Sequence, residues 1–599
     1  MTNVVLVVSA ALTISVRRQT MLRRSVLKNR HTCPSGFQRK RPNVTKRDTE
    51  DDTTQERLSG ARGGMAPVPV QHVRKRASVN EALRAWFAGD FAGCLTLCNS
   101  THPRDPRTAA ILPLLRARAY LRLGEPRSAI TVLQTYALTF SLEASITARM
   151  LLGEAYLRSG DLERGASILE SLSAEAEAHN AHSNIRSEIA VSRALYYFQR
   201  REYELAESAL NRVFPSADVV YARALEYRGW IATARTMYDI ASRYFKEALS
   251  HLDRCRYVDR FVEANCLHAL ASLAHERLDI GTSAFVQERA QRMNWSAHGL
   301  TAARFWILFY STYALESLGR PLDAADSARA ADVLAPSAAY RVQALLRRAS
   351  IARNAGDTAV AAYDYTRSAL DLYQAIDPRR FEGDERLVPL LLADHFSAIG
   401  DLATAQEMFS EYRGHRSAST LLIATGDARV AALERLVEAQ IAEAARDSAT
   451  AIRGYREAYQ TFKRLTYSRR ATIAALRLGA LDNRDTLYDE IEVLTKHLPD
   501  TSFLRREVAR RRAEDVTRHL STGEREVLRL LCSGLSPKEI AARRNRALKT
   551  IRNTIDGLKT TFGVRSMSAL VALSISQGFT DPAADDPGRA FGTHRTPPR

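Results

Sequence analysis

Between residues 89 and 451 one short pattern returns ten times, and it restricts the chain to a stack of helix pairs. A helix-forming run ends at a turn position, usually Gly followed by a polar residue. A small residue stands five positions later. The pairs are Gly89/Cys94, Gly124/Ala129, Gly160/Gly165, Arg201/Ala206, Thr236/Ala241, Leu278/Ser283, Gly319/Ala324, Gly356/Ala361, Gly400/Ala405 and Arg446/Ala451. Successive turns lie 35 to 46 residues apart. Gly takes the positive φ that a tight helix-to-helix turn needs. The small residue lets the two helices of a hairpin approach closely, and Tyr120, Tyr156, Tyr196 and Tyr197 offer bulk to the next one. One hairpin encloses too little core to stand alone, so the units must stack.

The turns at Gly160-Asp161-Leu162 and Gly400-Asp401-Leu402-Ala403-Thr404-Ala405 resemble the tetratricopeptide repeat (TPR). That repeat has a strict period of about 34 residues, so the longer steps here imply looser, TPR-like units. The pattern lapses after about residue 480. The expected fold class is all-α: a TPR-like α-solenoid over residues 77–500, then a basic connecting helix at 501–519, then a four-helix unit at 520–578. Residues 1–76 read as a basic, disordered leader, and Met65 is an alternative start. Residues 579–599, with Pro582, Pro587, Pro597 and Pro598, read as a disordered tail.

The last unit is cut into four short helices by its own punctuation. Thr522 reads as an N-cap, Val527, Leu528, Leu530 and Leu531 recur at helical spacing, and Gly534 stops the first helix. Ser536 caps a second helix with Pro537 at its first position. A third begins near Leu548, with Ile551, Ile555, Leu558 and Phe562 on one face and Lys549, Arg552, Asn553, Asp556 and Lys559 opposite. Ser566 opens a fourth, carrying Leu570 and Val571. The second and third helices together form a helix-turn-helix whose second member presents a polar, largely basic face.

The segments Glu524-Arg525-Glu526-Val527-Leu528, Gly534-Leu535-Ser536, Lys538-Glu539-Ile540-Ala541, Lys549-Thr550-Ile551-Arg552-Asn553 and Gly563-Val564-Arg565-Ser566 resemble the LuxR-type (GerE-like) helix-turn-helix of bacterial transcription regulators. The resemblance implies binding to double-stranded DNA, with Arg552, Asn553 and Asp556 facing base edges. Lys538, Lys549, Thr550 and Lys559 are then placed for phosphates. It also implies a homodimer on DNA, with Leu570, Val571 and Ser574 at the contact between domains, and a protein or small-molecule effector on the repeat array. The sequence departs from that family at Arg544 and Arg546, which stand where apolar residues pack into the turn, and at Ala547 in place of a Ser or Thr cap. Those departures leave an alternative open: a TPR-like interaction scaffold with a degenerate helix-turn-helix.

The distribution of charge fits a nucleic-acid-binding terminus attached to a neutral interaction module. The formal net charge is +19, yet the leader carries +11 and residues 521–578 carry +6, which leaves the long helical body close to neutral. Six cysteines do not make a disulfide scaffold. Cys94 and Cys98, four apart, are better placed for a core than for a metal, so neither metal nor cofactor is expected and the natural compartment is a reducing cytoplasm. The apolar run at residues 4–16 is too short to span a bilayer comfortably and lacks a preceding positive charge, so no membrane partner is expected. No Gly-Lys dipeptide occurs, which argues against a P-loop, and no catalytic constellation is found. The chain therefore reads as a non-enzyme.

Overall fold

The computed structural model describes residues 78–576, apart from the stretches 103–104, 137–141, 180, 216–218, 256, 296–297, 356–358, 378–382, 419–427, 483–484 and 563. The expected leader and tail lie outside the described residues. Every regular element among the described residues is helical, with no strand. Eleven antiparallel helix pairs follow one another, from Val79–Phe87 with Phe91–Ser100 to Ser468–Asp482 with Asp485–Thr495. The eleventh pair, 468–495, corrects the expectation that the repeat lapses near residue 480. A helix at Phe503–His519 then leads to four shorter ones.

One turn geometry closes the hairpins. Nine of the ten expected turn positions sit at positive φ, from 57° at Leu278 to 94° at Gly160, and Gly356 lies outside the described residues. The third hairpin shows the construction. Gly160 N–H donates to the Leu157 carbonyl at 3.2 Å and Asp161 N–H to the Tyr156 carbonyl at 3.0 Å, a paired cap that satisfies the last carbonyls of the first helix. Asp161 then caps the second helix through its carboxylate, accepting from Arg164 N–H. Asp90, Asp279, Asp401 and Asp447 repeat that role at their own turns. Wherever an Asp follows the described turn residue, it is thus an N-cap.

The small residues do what their size permits. Cys94, Ala129, Ala206, Ala241, Ala324, Ala405 and Ala451 are all 0% exposed. A side chain on Gly165 would put its first carbon 2.6 Å from Leu157 and 2.9 Å from the Gly153 carbonyl. The eighth hairpin departs by one position: Ala361 is half-buried, and Ala362 takes the buried place.

The stack does not stay open. The first hairpin touches the start of the sixth: Phe87 stacks on Tyr257 with ring centroids 4.9 Å apart, and Phe91 meets Phe261 at 5.8 Å. The sixth touches the eleventh: Arg470 bonds Glu276 at 2.7 Å, and His497 Nε2 lies 2.9 Å from the Leu278 carbonyl. Leu278, Leu498 and Leu504 share a small apolar cluster there. The superhelix therefore closes on itself every five hairpins. The first helix of the sixth hairpin, Arg260–Arg277, lies where two superhelical turns meet, and nearly all of it from Phe261 to Glu276 is buried. A helix enclosed on every side is apolar or internally paired all round. This one carries Glu263, His268, His275 and Glu276 inside, each against a partner or an aromatic face.

Candidate functional site

Residues 520–576 form a unit with its own core, built from Leu520, Val527, Leu528, Leu530, Leu531, Ile540, Ile551, Ile555, Leu558 and Leu570. The first helix, Thr522–Cys532, is capped by Ser521, one residue before the expected Thr522. Ser521 and Glu524 bond reciprocally, and those bonds hold the Glu524 carboxyl below its ordinary pKa. Ser536 and Glu539 repeat the arrangement on the second helix, Pro537–Arg543. Asn545, at φ 47°, makes the turn into the third helix, Leu548–Thr561. Ala547 precedes it without a side-chain cap. The order is helix, turn, helix, with the third helix seated on the first and second through Ile551, Ile555 and Leu558.

That seating fixes what faces outward. Arg552, Asn553 and Asp556 are exposed on one side, as are Lys549 and Thr550 at the helix start and Lys538 on the second helix. Arg552 and Asn553 make no side-chain bond among the described residues, so their polar groups are free for a ligand. Asp556 is engaged, 2.5 Å from Lys559 one turn on. Arg544 does not pack into the turn as an apolar residue would. It reaches back over the first helix, donating to the Gly523 carbonyl at 2.8 Å and pairing with Glu526 at 3.2 Å. Arg546 is exposed.

The fourth helix, Met567–Ser576, carries the three residues expected at the contact between domains. Leu570 and Ser574 are 0% exposed and sit inside the unit, and Val571 is half-buried against the same core. Met567 and Ile575 are the apolar residues this helix shows to solvent.

Each superhelical turn carries a cavity with arginines on its wall; another, about 410 Å³, lies among Ile189, Arg193, Val213 and Phe214. The first, about 400 Å³, lies among Leu83, Trp86, Phe87, Leu114 and Leu115, with Arg118, Arg122 and Arg223 on its wall. Arg118 pairs with Glu188, and Arg122 faces Asp259 at 3.7 Å and covers the Phe261 ring at 4.2 Å. Behind them Glu154 bonds Arg158 at 2.8 Å. Burial opposes the charge on Glu154, but Arg158, Arg223 and Arg122 prevail and hold its pKa down to about 2.

The second cavity, about 540 Å³, carries seven arginines on its wall: Arg353, Arg469, Arg470, Arg477, Arg506, Arg510 and Arg511. Its own acids are Asp394 and Glu507. Arg470 and Arg477 reach Glu276 and Glu443 behind the wall, while Arg510 and Arg511 share Glu507. Arg353, Arg469 and Arg506 have no carboxylate within ion-pair distance among the described residues. Arg469 lies 4.4 Å over the Tyr313 ring, and its buried Nε has no acceptor. Phe503–His519 supplies one side of this cavity through Phe503, Leu504, Arg506, Glu507, Arg510 and Arg511. Sequence reasoning did not find this cavity. The signal available was the doublet Arg469-Arg470 and the run Arg510-Arg511-Arg512 at the edge of a neutral body.

His268, His275 and His395 are core groups. His268 lies against both Trp306 and Tyr310, with ring centroids 5.8 and 6.0 Å away, and burial pushes its pKa down to about 3. His395 binds Ser350 Oγ and the Leu346 and Leu391 carbonyls. Cys94 and Cys98 are buried and free. Among the described residues no cluster of His, Cys, Asp and Glu is arranged to hold a metal, and no helix is long and apolar enough to cross a membrane.

No protein-family model matches the chain, and no curated protein matches it. Among solved structures it is similar to a Rap protein complexed with competence and sporulation factor, at 13% identity and a TM-score of 0.36, covering 58% of this chain and 99% of that one. It is also similar to the Cut9–Hcn1 hetero-tetramer of the APC/C, at 12% identity and a TM-score of 0.22, covering 73% and 91%. Superpositions this loose decide nothing, and the class rests on the geometry above. The described chain is an all-helical, TPR-like repeat array that carries a separate four-helix unit.

Proposed function

We propose that the chain is a bacterial DNA-binding regulator that reads the major groove with residues 520–576 and is controlled through its TPR-like array. The observation that carries this is the third helix of the terminal unit. Ile551, Ile555 and Leu558 bury one side of it, which turns Arg552 and Asn553 outward with no side-chain partner. Arg pairs bidentately with guanine and Asn with adenine. The uncapped backbone N–H groups after Ala547, with Lys549 and Thr550 beside them, suit a phosphate oxygen. In this account a homodimer binds two half-sites, and the array takes up a protein or small-molecule effector in the cytoplasm. In this account the chain is not an enzyme and works without a cofactor.

The competing function is an interaction scaffold whose terminal unit binds protein. The Asp556–Lys559 pair and the inward clamp of Arg544 favour it, because both commit charge that a DNA reader would spend on the duplex. Titration of the full chain against selected and scrambled duplexes at two salt concentrations separates the two. Arg552→Ala is expected to cost about 1–3 kcal/mol on the selected duplex and to relax preference at one base. Lys559→Ala is expected to weaken both duplexes alike and lower the salt slope by about one unit. Absence of binding at low salt would leave the scaffold.

A further inference from the structure

The wall of the second cavity gathers arginines that no described carboxylate meets within ion-pair distance. Seven arginines line that cavity, and the carboxylates in or behind its wall are Asp394, Glu507, Glu276 and Glu443. Burial lowers the pKa of His395 on the same wall. Of the seven, Arg353, Arg469 and Arg506 have no carboxylate within ion-pair distance among the described residues. They converge from three separate elements: Arg353 from the eighth hairpin, Arg469 from the eleventh and Arg506 from the connecting helix. Clustering like charges costs free energy unless something of opposite sign resides there. A fold that selects only for packing has no reason to collect cations from three elements around one space. The volume falls within the roughly 300–1,000 Å³ that small-ligand sites occupy. Tyr313, Leu391, Leu436, Ile473 and Phe503 give the same cavity apolar wall between the charges.

We propose that this cavity is the receptor site for a small polyanion, a compound bearing two or more clustered carboxylate or phosphate groups, and that its occupancy pins the connecting helix to the array. Arg506, Arg510 and Arg511 belong to that helix, whereas Arg353 and Arg469 belong to the array. A ligand with two anionic groups bridges them. It also competes with Glu507, which pairs with both Arg510 and Arg511. The connecting helix ends at His519 and the terminal unit begins at Leu520, so a ligand that fixes this helix fixes the attachment of that unit. The regulatory consequence rests on the DNA-binding function proposed above, whereas anion binding does not.

The test uses the purified full chain without DNA. Calorimetric titration with tripolyphosphate and with citrate, at constant ionic strength, is expected to give saturable one-to-one binding for at least one of them. Phosphate-only or carboxylate-only binding identifies the ligand chemistry, and either supports the site. Arg353→Gln and Arg506→Gln, both at solvent-accessible positions that keep the fold, are each expected to weaken binding by about tenfold. Hydrogen exchange is expected to slow at residues 503–511 on addition of the bound probe and to stay unchanged in Arg506→Gln. Binding by neither probe at millimolar concentration overturns the proposal. So does binding that both variants leave intact, which would mark an adventitious ion only. Adding the selected duplex afterwards tests the regulator separately: a chain that binds the anion and ignores DNA defeats the DNA-binding function and keeps the site.

Discussion

The two superhelical turns enclose cavities of similar build and opposite electrostatic character. In the first, Arg118 and Arg122 each face a carboxylate, and Glu154 lies within the field of Arg158, Arg223 and Arg122. In the second, Arg353, Arg469 and Arg506 face none among the described residues. Matched charges in a closed space hold a fold in one arrangement. Unmatched charges leave an electrostatic demand that an outside molecule can meet. Function in a solenoid is thus to be sought where charge bookkeeping fails to close, since the backbone is the same throughout.

The largest expected effect breaks the matched side. Asp259→Ala removes the cap that accepts from Phe261 and Val262 N–H and strands Arg122 in the interior. A loss of about 3–5 kcal/mol in urea unfolding is expected, and a loss below about 1 kcal/mol would show that the first turn is not held by its charges. Next comes Glu154. Its pKa is lowered from about 4.5 to about 2, so its contribution is complete above the higher value and disappears as pH falls through the lower. Glu154→Gln is expected to cost about 3 kcal/mol at neutral pH. The gap between variant and wild type should close between about pH 5 and pH 2, and a constant gap would refute the assignment.

A smaller effect tests the backbone that both turns share. Gly400 sits at φ 86° with nothing within 4 Å of an added Cβ, so Gly400→Val meets conformational strain rather than a clash. About 1–2 kcal/mol of destabilisation is expected by thermal or urea unfolding. The smallest effect is on the unmatched side. Arg506→Gln removes no ion pair and is expected to change stability by less than about 0.5 kcal/mol in the absence of ligand. A larger loss would mean that the second cavity is as structural as the first.

What the sequence made legible was local. The turn positions could be placed even where Arg201, Thr236, Leu278 and Arg446 replace glycine, because the turn and its packing partner are five residues apart. Contacts such as Arg470–Glu276, separated by 194 residues, depend on curvature accumulated over five hairpins, and no local pattern encodes that. The eleventh hairpin escaped because the sequence from Ala480 to Asp485 has no Gly. In the terminal unit the outward face of the third helix was legible from the alternation of apolar and polar positions. The fourth helix, Met-Ser-Ala-Leu-Val-Ala-Leu-Ser-Ile-Ser, is nearly apolar all round, so its pattern could not say that Leu570 and Ser574 turn inward.

The self-contact at every fifth hairpin has a consequence for how such a chain can change. An ordinary repeat array tolerates loss or gain of one unit, because each touches only its neighbours. Here the coils press on one another like a spring wound to its solid length. Removing a single hairpin would set Phe87 against the wrong ring and Glu276 against the wrong arginine, shifting every coil-to-coil pair out of phase at once. A neutral change of length would have to come in steps of five hairpins. Pulled from its ends, the array should hold its length until a coil contact gives way and then lengthen in jumps of one whole coil.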